Sequence, residues 1–255
     1  MKKKFLTLAV LAGFSGFFLS GCASDGDQYV LADGQEISDP FEGVNRKVFA
    51  FNAAVDEAII HPTLKGYRLV VPSYARTGLG NFLNNLKSPV VFGNQLLQGD
   101  LEGAGTSFVR ATINTILGVG GLIDIAGMEG IEHEGEDFGQ TLAKWGMDHG
   151  PYLVVPIVGP SSARDYVGYI VDGYADPLRW YLFNVDKEGL HYARMGLSYL
   201  DLRDDLMDVL EDLQRSSIDY YAATRSVYYQ RREALVNDED PDANAAAVIP
   251  DYDDY

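Results

Sequence analysis

The chain has 255 residues, with 37 Asp and Glu against 20 Lys and Arg, a formal net charge of −17. That acidity excludes a nucleic-acid partner, whose phosphates demand a basic surface. A single cysteine, Cys22, excludes a disulfide within the chain, while 16 tyrosines and 12 phenylalanines supply rings suited to a membrane interface.

In chain order, Lys2, Lys3 and Lys4 precede an apolar run from Phe5 to Leu19 that only Thr7, Gly13, Ser15 and Gly16 interrupt. Residues 1–21 therefore read as a secretory signal peptide. Leu19-Ser20-Gly21-Cys22 resembles the lipobox of bacterial lipoproteins, which makes Cys22 the first mature residue and the attachment point of a covalent lipid. Each buried acyl methylene contributes roughly 0.8 kcal/mol, so two or three chains anchor stably where one is marginal. Ala23 resembles the non-Asp second position that lipoproteins exported to the outer membrane carry. A plain leader followed by a free thiol is the alternative. Residues 22–38 are small and polar and read as a flexible tether.

One helical domain is expected over residues 39–236. Asp39-Pro40 reads as a helix start, a carboxylate N-cap followed by proline at the first position. Phe41, Val44, Val48, Phe51, Val55 and Ile59 recur at helical spacing, and His61-Pro62 reads as the stop. Residues 72–100 read as short helices with turns, broken at Ser88-Pro89. Gly103 to Met128 is the most apolar stretch after the leader, with a helix predicted to Leu117 and a turn at Gly118, Gly120 and Gly121. Arg110, Asn114 and Asp124 interrupt it, so it falls short of the roughly 20 apolar residues that a spanning helix needs.

Residues 136–165 are dense in turn chemistry, with Gly139, Gly146, Gly150-Pro151, Pro156 and Gly159-Pro160. Tyr152 to Val158 reads as a short strand or extended loop in which Pro156 argues against a central position. Ser161, Ser162 and Asp165 offer caps to a helix through Asp172, and Asp176-Pro177 opens another that ends near Phe183. Leu197 to Leu235 reads as a long helix with a possible break at Ser216-Ser217. Its stripe of Leu206, Val209, Leu210 and Leu213 lies opposite Asp204, Asp205, Asp208, Glu211 and Asp212, read as a solvated acidic face. Residues 237–255 are acidic and poor in apolar residues, and read as a disordered tail.

The usual catalytic patterns are missing. There is no His-Glu-x-x-His pair, no Gly-x-Ser-x-Gly elbow in the mature chain and no phosphate loop ending in Gly-Lys-Ser/Thr. His61, His133, His149 and His191 lack paired metal-ligand spacing, so no metal and no cofactor beyond the lipid on Cys22 is expected. One hydrolase reading remains open, Ser161 or Ser162 with His149 and Asp165, beside the commoner capping role of those residues.

A set of separated motifs, in order over about residues 38–233, resembles the MlaA/VacJ lipoproteins. They are Asp39-Pro40-Phe41-Glu42-Gly43-Val44-Asn45-Arg46 with Phe49-Ala50-Phe51-Asn52, Leu97-Gln98-Gly99-Asp100, Arg110 with Asn114-Thr115-Ile116-Leu117-Gly118, and Gly121 with Asp124 and Ala126. Phe138-Gly139-Gln140-Thr141-Leu142, Gly150-Pro151-Tyr152, Pro156, Gly159-Pro160-Ser161 and Arg164-Asp165 continue the likeness. The resemblance implies a mainly α fold, a ring-like bundle of amphipathic helices with a central channel and short extended loops, in the inner leaflet of the outer membrane. It implies a passive phospholipid conduit rather than an enzyme. Misplaced phospholipids would leave the outer leaflet and pass to a soluble periplasmic carrier, MlaC-like, from a protein docked on trimeric porins. On that likeness Phe51, Asn52, Asn114, Gly118, Gly120, Gly121, Asp124, Tyr152 and Pro156 are candidates for the lipid path. Asp39, Pro40, Asn45, Arg46, Gly139, Gly150, Pro151, Arg164 and Asp165 are candidates for shaping the fold. Turn and cap roles compete with lipid contact for Asn45, Asn52 and the three turn glycines. A structural envelope scaffold is the third reading, beside the conduit and the membrane-anchored hydrolase.

Overall fold

The structure, a computed structural model, describes residues 38–239 and the backbone of Tyr29–Val30 and Glu36–Ile37; the leader, Cys22, most of the expected tether and the tail from residue 240 lie outside the described residues. The two short segments are strands β1 (Tyr29–Val30) and β2 (Glu36–Ile37), paired antiparallel within the stretch expected to be a tether.

Asp39 does not cap the first helix. α1 (Glu42–Val55) begins after Phe41 without a side-chain cap, because the Asp39 carboxylate is committed elsewhere. It accepts hydrogen bonds from Asn45 Nδ2 (2.8 Å), Tyr221 Oη (2.5 Å) and Arg225 (2.6 Å). Nor does His61-Pro62 stop the helix. A π-helical segment (Asp56–Ile60) runs straight into α2 (His61–Val70), and the His61 N–H donates to the Asp56 carbonyl. Pro62 has no N–H and crowds the preceding turn, a defect that a widened π turn absorbs.

The short helices expected over 72–100 are one helix, α3 (Ser73–Gln98), about 39 Å long at 1.5 Å per residue. Pro89 sits inside it, exposed, while Val90, Val91, Asn94 and Gln95 bury the opposite face. Packing of that face overrides the local break. Gly99, at φ +81°, ends α3 and Asp100 caps α4 (Leu101–Ile116) by accepting from the Gly103 N–H at 2.9 Å. This two-residue corner lets α4 pack back along α3.

After α5 (Ile125–Met128) and α6 (Phe138–Lys144), β3 (Tyr152–Val155) and β4 (Gly159–Ser162) form a hairpin with Tyr152 opposite Ser162 and Val155 opposite Gly159. Pro156 lies in the turn, where its missing N–H costs no ladder bond. Ser162 accepts from the Asp165 N–H to cap α7 (Ala163–Ala175), and Asp176 caps α8 (Pro177–Asn184). The long final helix is three helices: α9 (Glu188–Asp205), α10 (Met207–Ser216) and α11 (Tyr220–Val236). It starts earlier than expected and breaks at Leu206 as well as at Ser216-Ser217. Asp204 does not belong to a solvated face; it is buried and holds Arg68 (2.5 Å) and Arg76.

Side-chain links join these elements into a closed circuit. Asn45 and Asn52 of α1 bind the hairpin, and the hairpin packs on α11 through Tyr152, Tyr221 and Tyr229. Arg232 of α11 reaches Asp137 (2.6 Å) and Asp165 (3.1 Å) beside α6 and α7. Asn94 of α3 donates to Asp172 of α7 (2.9 Å) and accepts from Thr141 of α6 (3.0 Å). Arg76 of α3 reaches Asp204 of α9, and Arg203 of α9 pairs with Asp56 (2.7 Å) at the end of α1. The chain closes on itself through polar contacts.

The distribution of polarity is inverted. Among the described residues, buried polar and charged side chains outnumber buried apolar ones, and more than twice as many large apolar side chains are exposed as are buried. Breaking a buried ion pair by removing one partner costs about 3–5 kcal/mol, whereas an exposed pair contributes under about 1 kcal/mol. Arg225→Met, which leaves the buried Asp39 carboxylate without its counter-charge, is expected to lower stability by about 3–5 kcal/mol in urea unfolding. Arg215→Met, whose parent side chain is 73% exposed, should cost less than about 1 kcal/mol. Equal losses would contradict the assignment.

Candidate functional site

The turn that follows α4 combines a polar root with an apolar outer face. Asp124 accepts from Arg110 (2.9 Å), from Asn114 Nδ2 (2.7 Å) and from the Gly127 N–H (3.0 Å), and Asn114 Oδ1 accepts from the Ala126 N–H (2.9 Å). Burial pushes the Asp124 carboxyl up, but these hydrogen bonds and the guanidinium outweigh it and hold the group below the usual carboxylate range. Ile116, Leu117, Val119, Leu122 and Ile123, by contrast, are exposed.

Three glycines make the turn, for different reasons. At Gly118 a Cβ would collide with the Ile123 and Asn114 carbonyl oxygens, and at Gly121 (φ +99°) it would stand 2.6 Å from Asn85 Cβ. Gly120 has open space around it but a φ of +73°, which L side chains rarely adopt. The turn is therefore a close approach of backbone to backbone and to α3, fastened by Asn85 Nδ2 donating to Thr115 (2.8 Å).

Behind it lies a cavity of about 100 Å³ between α3 and α4, with Asn81, Asn84, Ser88, Arg110, Asp124 and His133 in its wall. Burial, then the positive charges of Arg110 and Lys87, push the His133 imidazole down, so it is neutral near pH 7. A second, larger cavity of about 370 Å³ lies between α6, α7 and the end of α11, against Met147, His149, Arg164 and Glu233.

The structure disperses the other lipid-path candidates. Asn52 is a latch: its Nδ2 donates to the Val155 carbonyl (3.0 Å) and its Oδ1 accepts from the Ile157 N–H (2.8 Å). Asn45 does the same one step earlier, with the Tyr152 carbonyl and the Val154 N–H, both at 3.0 Å. Seven helical residues rise about 10.5 Å and three strand residues about 10 Å, so the two asparagines match the strand edge in register. Tyr152 is fully buried in the core with Tyr221 and Tyr229, and does not line an open path. Phe51 is exposed on α1, and Pro156 sits in the hairpin turn.

The fold-shaping candidates also have definite places. Arg46 pairs with Glu42 and Asp219, Gly150 takes a φ of +66° just before Pro151, and Gly139 sits where the backbone of α6 touches that of α7 at Gly168. Asp165 is held by Arg164, Arg232 and Tyr228, which keep its carboxyl at about 2 against the opposing effect of burial. It does not orient His149, whose Nδ1 has no hydrogen-bond partner and whose imidazole burial pushes down to about 4. Ser162 Oγ caps α7 and Ser161 donates to the Ser162 carbonyl. The four residues of the hydrolase reading thus form no hydrogen-bonded triad.

The apolar exterior extends beyond the turn. Trp145 and Trp180 are 57% and 53% exposed, yet each indole N–H is satisfied internally, by the Leu97 carbonyl (3.0 Å) and the Tyr174 carbonyl (2.6 Å). Such rings need no water. Arg179 stacks over Tyr174 (4.4 Å) and Phe183 (4.9 Å) in the same α7–α8 region. No helix among the described residues is long and apolar enough to cross a membrane.

The family model of the MlaA lipoproteins matches residues 37–235, nearly the whole described region. The chain belongs to the MlaA lipoprotein family. It is 38% identical over 237 residues to the intermembrane phospholipid transport system lipoprotein MlaA of Escherichia coli (strain K12), covering 89% of this chain and 90% of that one. The MlaA of Haemophilus influenzae is 33% identical over 243 residues, 93% and 92% of the two chains. A solved structure described as the structural basis for maintenance of bacterial outer membrane lipid asymmetry superposes with a TM-score of 0.69 at 35% identity, covering 78% of this chain and all of that one. Within this MlaA fold, sequence reasoning missed Arg225, Arg232, Asn94 and Asp172, the interior links of the circuit. Their one sequence signal is a charged or amide side chain facing the same way as apolar neighbours on a helix.

The glycines divide by cause, and substitution should divide them too. Gly120→Ala is expected to cost about 1 kcal/mol, the backbone term alone. Gly121→Ala adds a collision to that term, while Gly118→Ala meets its collision with two carbonyl oxygens without it; each collision should cost roughly 1–3 kcal/mol, read as urea midpoints. Equal losses at all three would refute the close-approach reading.

Proposed function

We propose that the protein is an outer-membrane lipoprotein, anchored through Cys22 in the periplasm-facing leaflet, that acts as a passive phospholipid conduit. It removes misplaced phospholipids from the outer leaflet and passes them to a periplasmic, MlaC-like carrier from a position on trimeric porins, maintaining lipid asymmetry. The observation that carries this reading is the inverted polarity: an apolar exterior over a hydrogen-bonded interior suits a protein whose surroundings are acyl chains. The lack of a spanning helix among the described residues fits residence in one leaflet, and the closed circuit of elements fits a ring with a channel. Exposed Asp205, Asp208 and Asp212 on α9 and α10 offer a basic carrier a charged edge away from the lipid. The names of the MlaA relatives support the same reading.

A passive conduit supplies no energy. Lipid then runs down its free-energy gradient, and direction comes from the carrier's affinity or from an energised partner. The protein reconstituted in liposomes should hand phospholipid to the carrier with headgroup and acyl chains unchanged by mass spectrometry. Lysophospholipid that appears with the wild type and vanishes with a Ser161→Ala, Ser162→Ala double variant would overturn the conduit and favour the hydrolase.

A further inference from the structure

The corner between α7 and α8 holds an arginine that the polar circuit does not use. Elsewhere arginines are spent on carboxylates, as Arg46, Arg203 and Arg232 are on Asp219, Asp56 and Asp137. Among the described residues Arg179 has no ion pair and no side-chain hydrogen bond. Its contacts are rings: the guanidinium lies 4.4 Å from the Tyr174 centroid, 4.9 Å from Phe183 and 5.4 Å from Trp180. The usual helical partner stands three residues earlier, on the same face. That residue, Asp176, is buried, accepts from the Leu178 N–H to cap α8 and is paired with Arg194. Arg179 is left without a counter-charge in a chain with 37 Asp and Glu against 20 Lys and Arg.

Rings occupy only the faces of a guanidinium. Its N–H groups lie in the plane of the group and point past the ring edges. They are within reach of a ligand, because Arg179 is half-buried and none of its nitrogens is sealed in the interior, unlike the unpartnered nitrogens of Arg76, Arg110 and Arg225. An apolar stripe leads to it: Val167, Ile170 and Tyr174 recur at helical spacing on α7 and are all exposed. Trp180 and Tyr181 stand exposed on the other side of the corner. A reachable cation without a counter-charge, at the end of an apolar stripe, repeats the two halves of a phospholipid.

We propose that the Arg179 guanidinium binds the phosphate of a phospholipid in the surrounding leaflet, with the acyl chains of that lipid along Val167 and Ile170. A guanidinium offers parallel N–H groups to two phosphate oxygens, and one whose plane is already fixed on Tyr174 loses little freedom in doing so. An acidic protein would supply the counter-charge but leave the stripe uncovered; a lipid satisfies both. The proposal rests on the conduit reading, which puts acyl chains around the protein, and adds a resident lipid distinct from the transported one. Held at the phosphate level, about 15 Å from the bilayer centre, Arg179 sets the depth of the α7–α8 corner while its rings lie below it in the acyl region.

The test uses the full lipidated chain, isotope-labelled at the arginine side-chain nitrogens and reconstituted in vesicles of dioleoylphosphatidylcholine. Solid-state NMR then reads the dephasing of guanidinium nitrogen by lipid phosphorus. The wild type should show it, Arg179→Gln should lose it, and Arg215→Gln, which removes an exposed arginine already paired with Glu211, should keep it. Arg179→Gln breaks no interior link, and the wild-type measurement needs no substitution at all. Dephasing that survives in Arg179→Gln would assign the contact to another arginine and overturn the site. No dephasing in the wild type, while lipids brominated along the acyl chains still quench the tryptophans, would overturn the site and leave the conduit reading standing. Loss of both signals would overturn the two together. An arginine signal blind to phosphorus that shifts only when a trimeric porin is added, and does not shift in Arg179→Gln, would give Arg179 a protein carboxylate as partner and overturn the lipid site.

Discussion

The fold depends on polar side chains that meet in the interior, because so much of the apolar surface faces outward. Where acyl chains are the solvent, burying Leu against Leu gains little over leaving it exposed, and helices associate through packing, small residues and hydrogen bonds instead. The Asp39 hub shows the principle. Its carboxylate gathers α1 through Asn45 and α11 through Tyr221 and Arg225, with the two charged side chains 0% and 1% exposed. Such a pair contributes modestly in net terms but is expensive to break, so it fixes one arrangement more than it deepens the well.

The same logic links the scaffold to the proposed path. Asn45 and Asn52 replace a neighbouring strand for β3, Gly139 and Gly168 let α6 and α7 touch at the backbone, and Arg232 fastens both to α11. These links leave the outer faces of the helices free of structural duty. Leu117, Val119 and Trp180 can then face lipid without cost to folding, and the turn after α4 can present its apolar face while Asp124 holds its polar root.

How much of this is legible in the sequence varies with distance along the chain. Amphipathic helices, the caps at Ser162 and Asp176 and the glycine turn rest on neighbours a few residues away, and local patterns reveal them. Asp39 is misread because its local context, a carboxylate before proline, is that of an N-cap, while the partner that claims it stands 186 residues away. Asp204 reads as solvated for the same reason, its arginines lying 136 and 128 residues earlier. Pro62 and Pro89 read as breaks because proline is costly in an isolated helix; a π turn and a buried opposite face outweigh that cost here. Tyr152 is a lipid-path candidate through the family likeness alone, and an aromatic in a short strand carries no mark of which side it faces. At the candidate site, the importance of Arg110, Asn114 and Asp124 is visible as interruptions of an apolar run, but their convergence on one carboxylate and one cavity requires the turn to be folded.

The central claim is that acyl chains, not water, surround the apolar exterior. The two tryptophans of the chain, Trp145 and Trp180, sit exposed on that exterior and report on it without any substitution. Their fluorescence, measured for the lipidated protein in vesicles, should be strongly quenched by phospholipids brominated along the acyl chains and little affected by acrylamide in the aqueous phase. Efficient acrylamide quenching with no effect of the brominated lipids would place this surface in water and contradict the account.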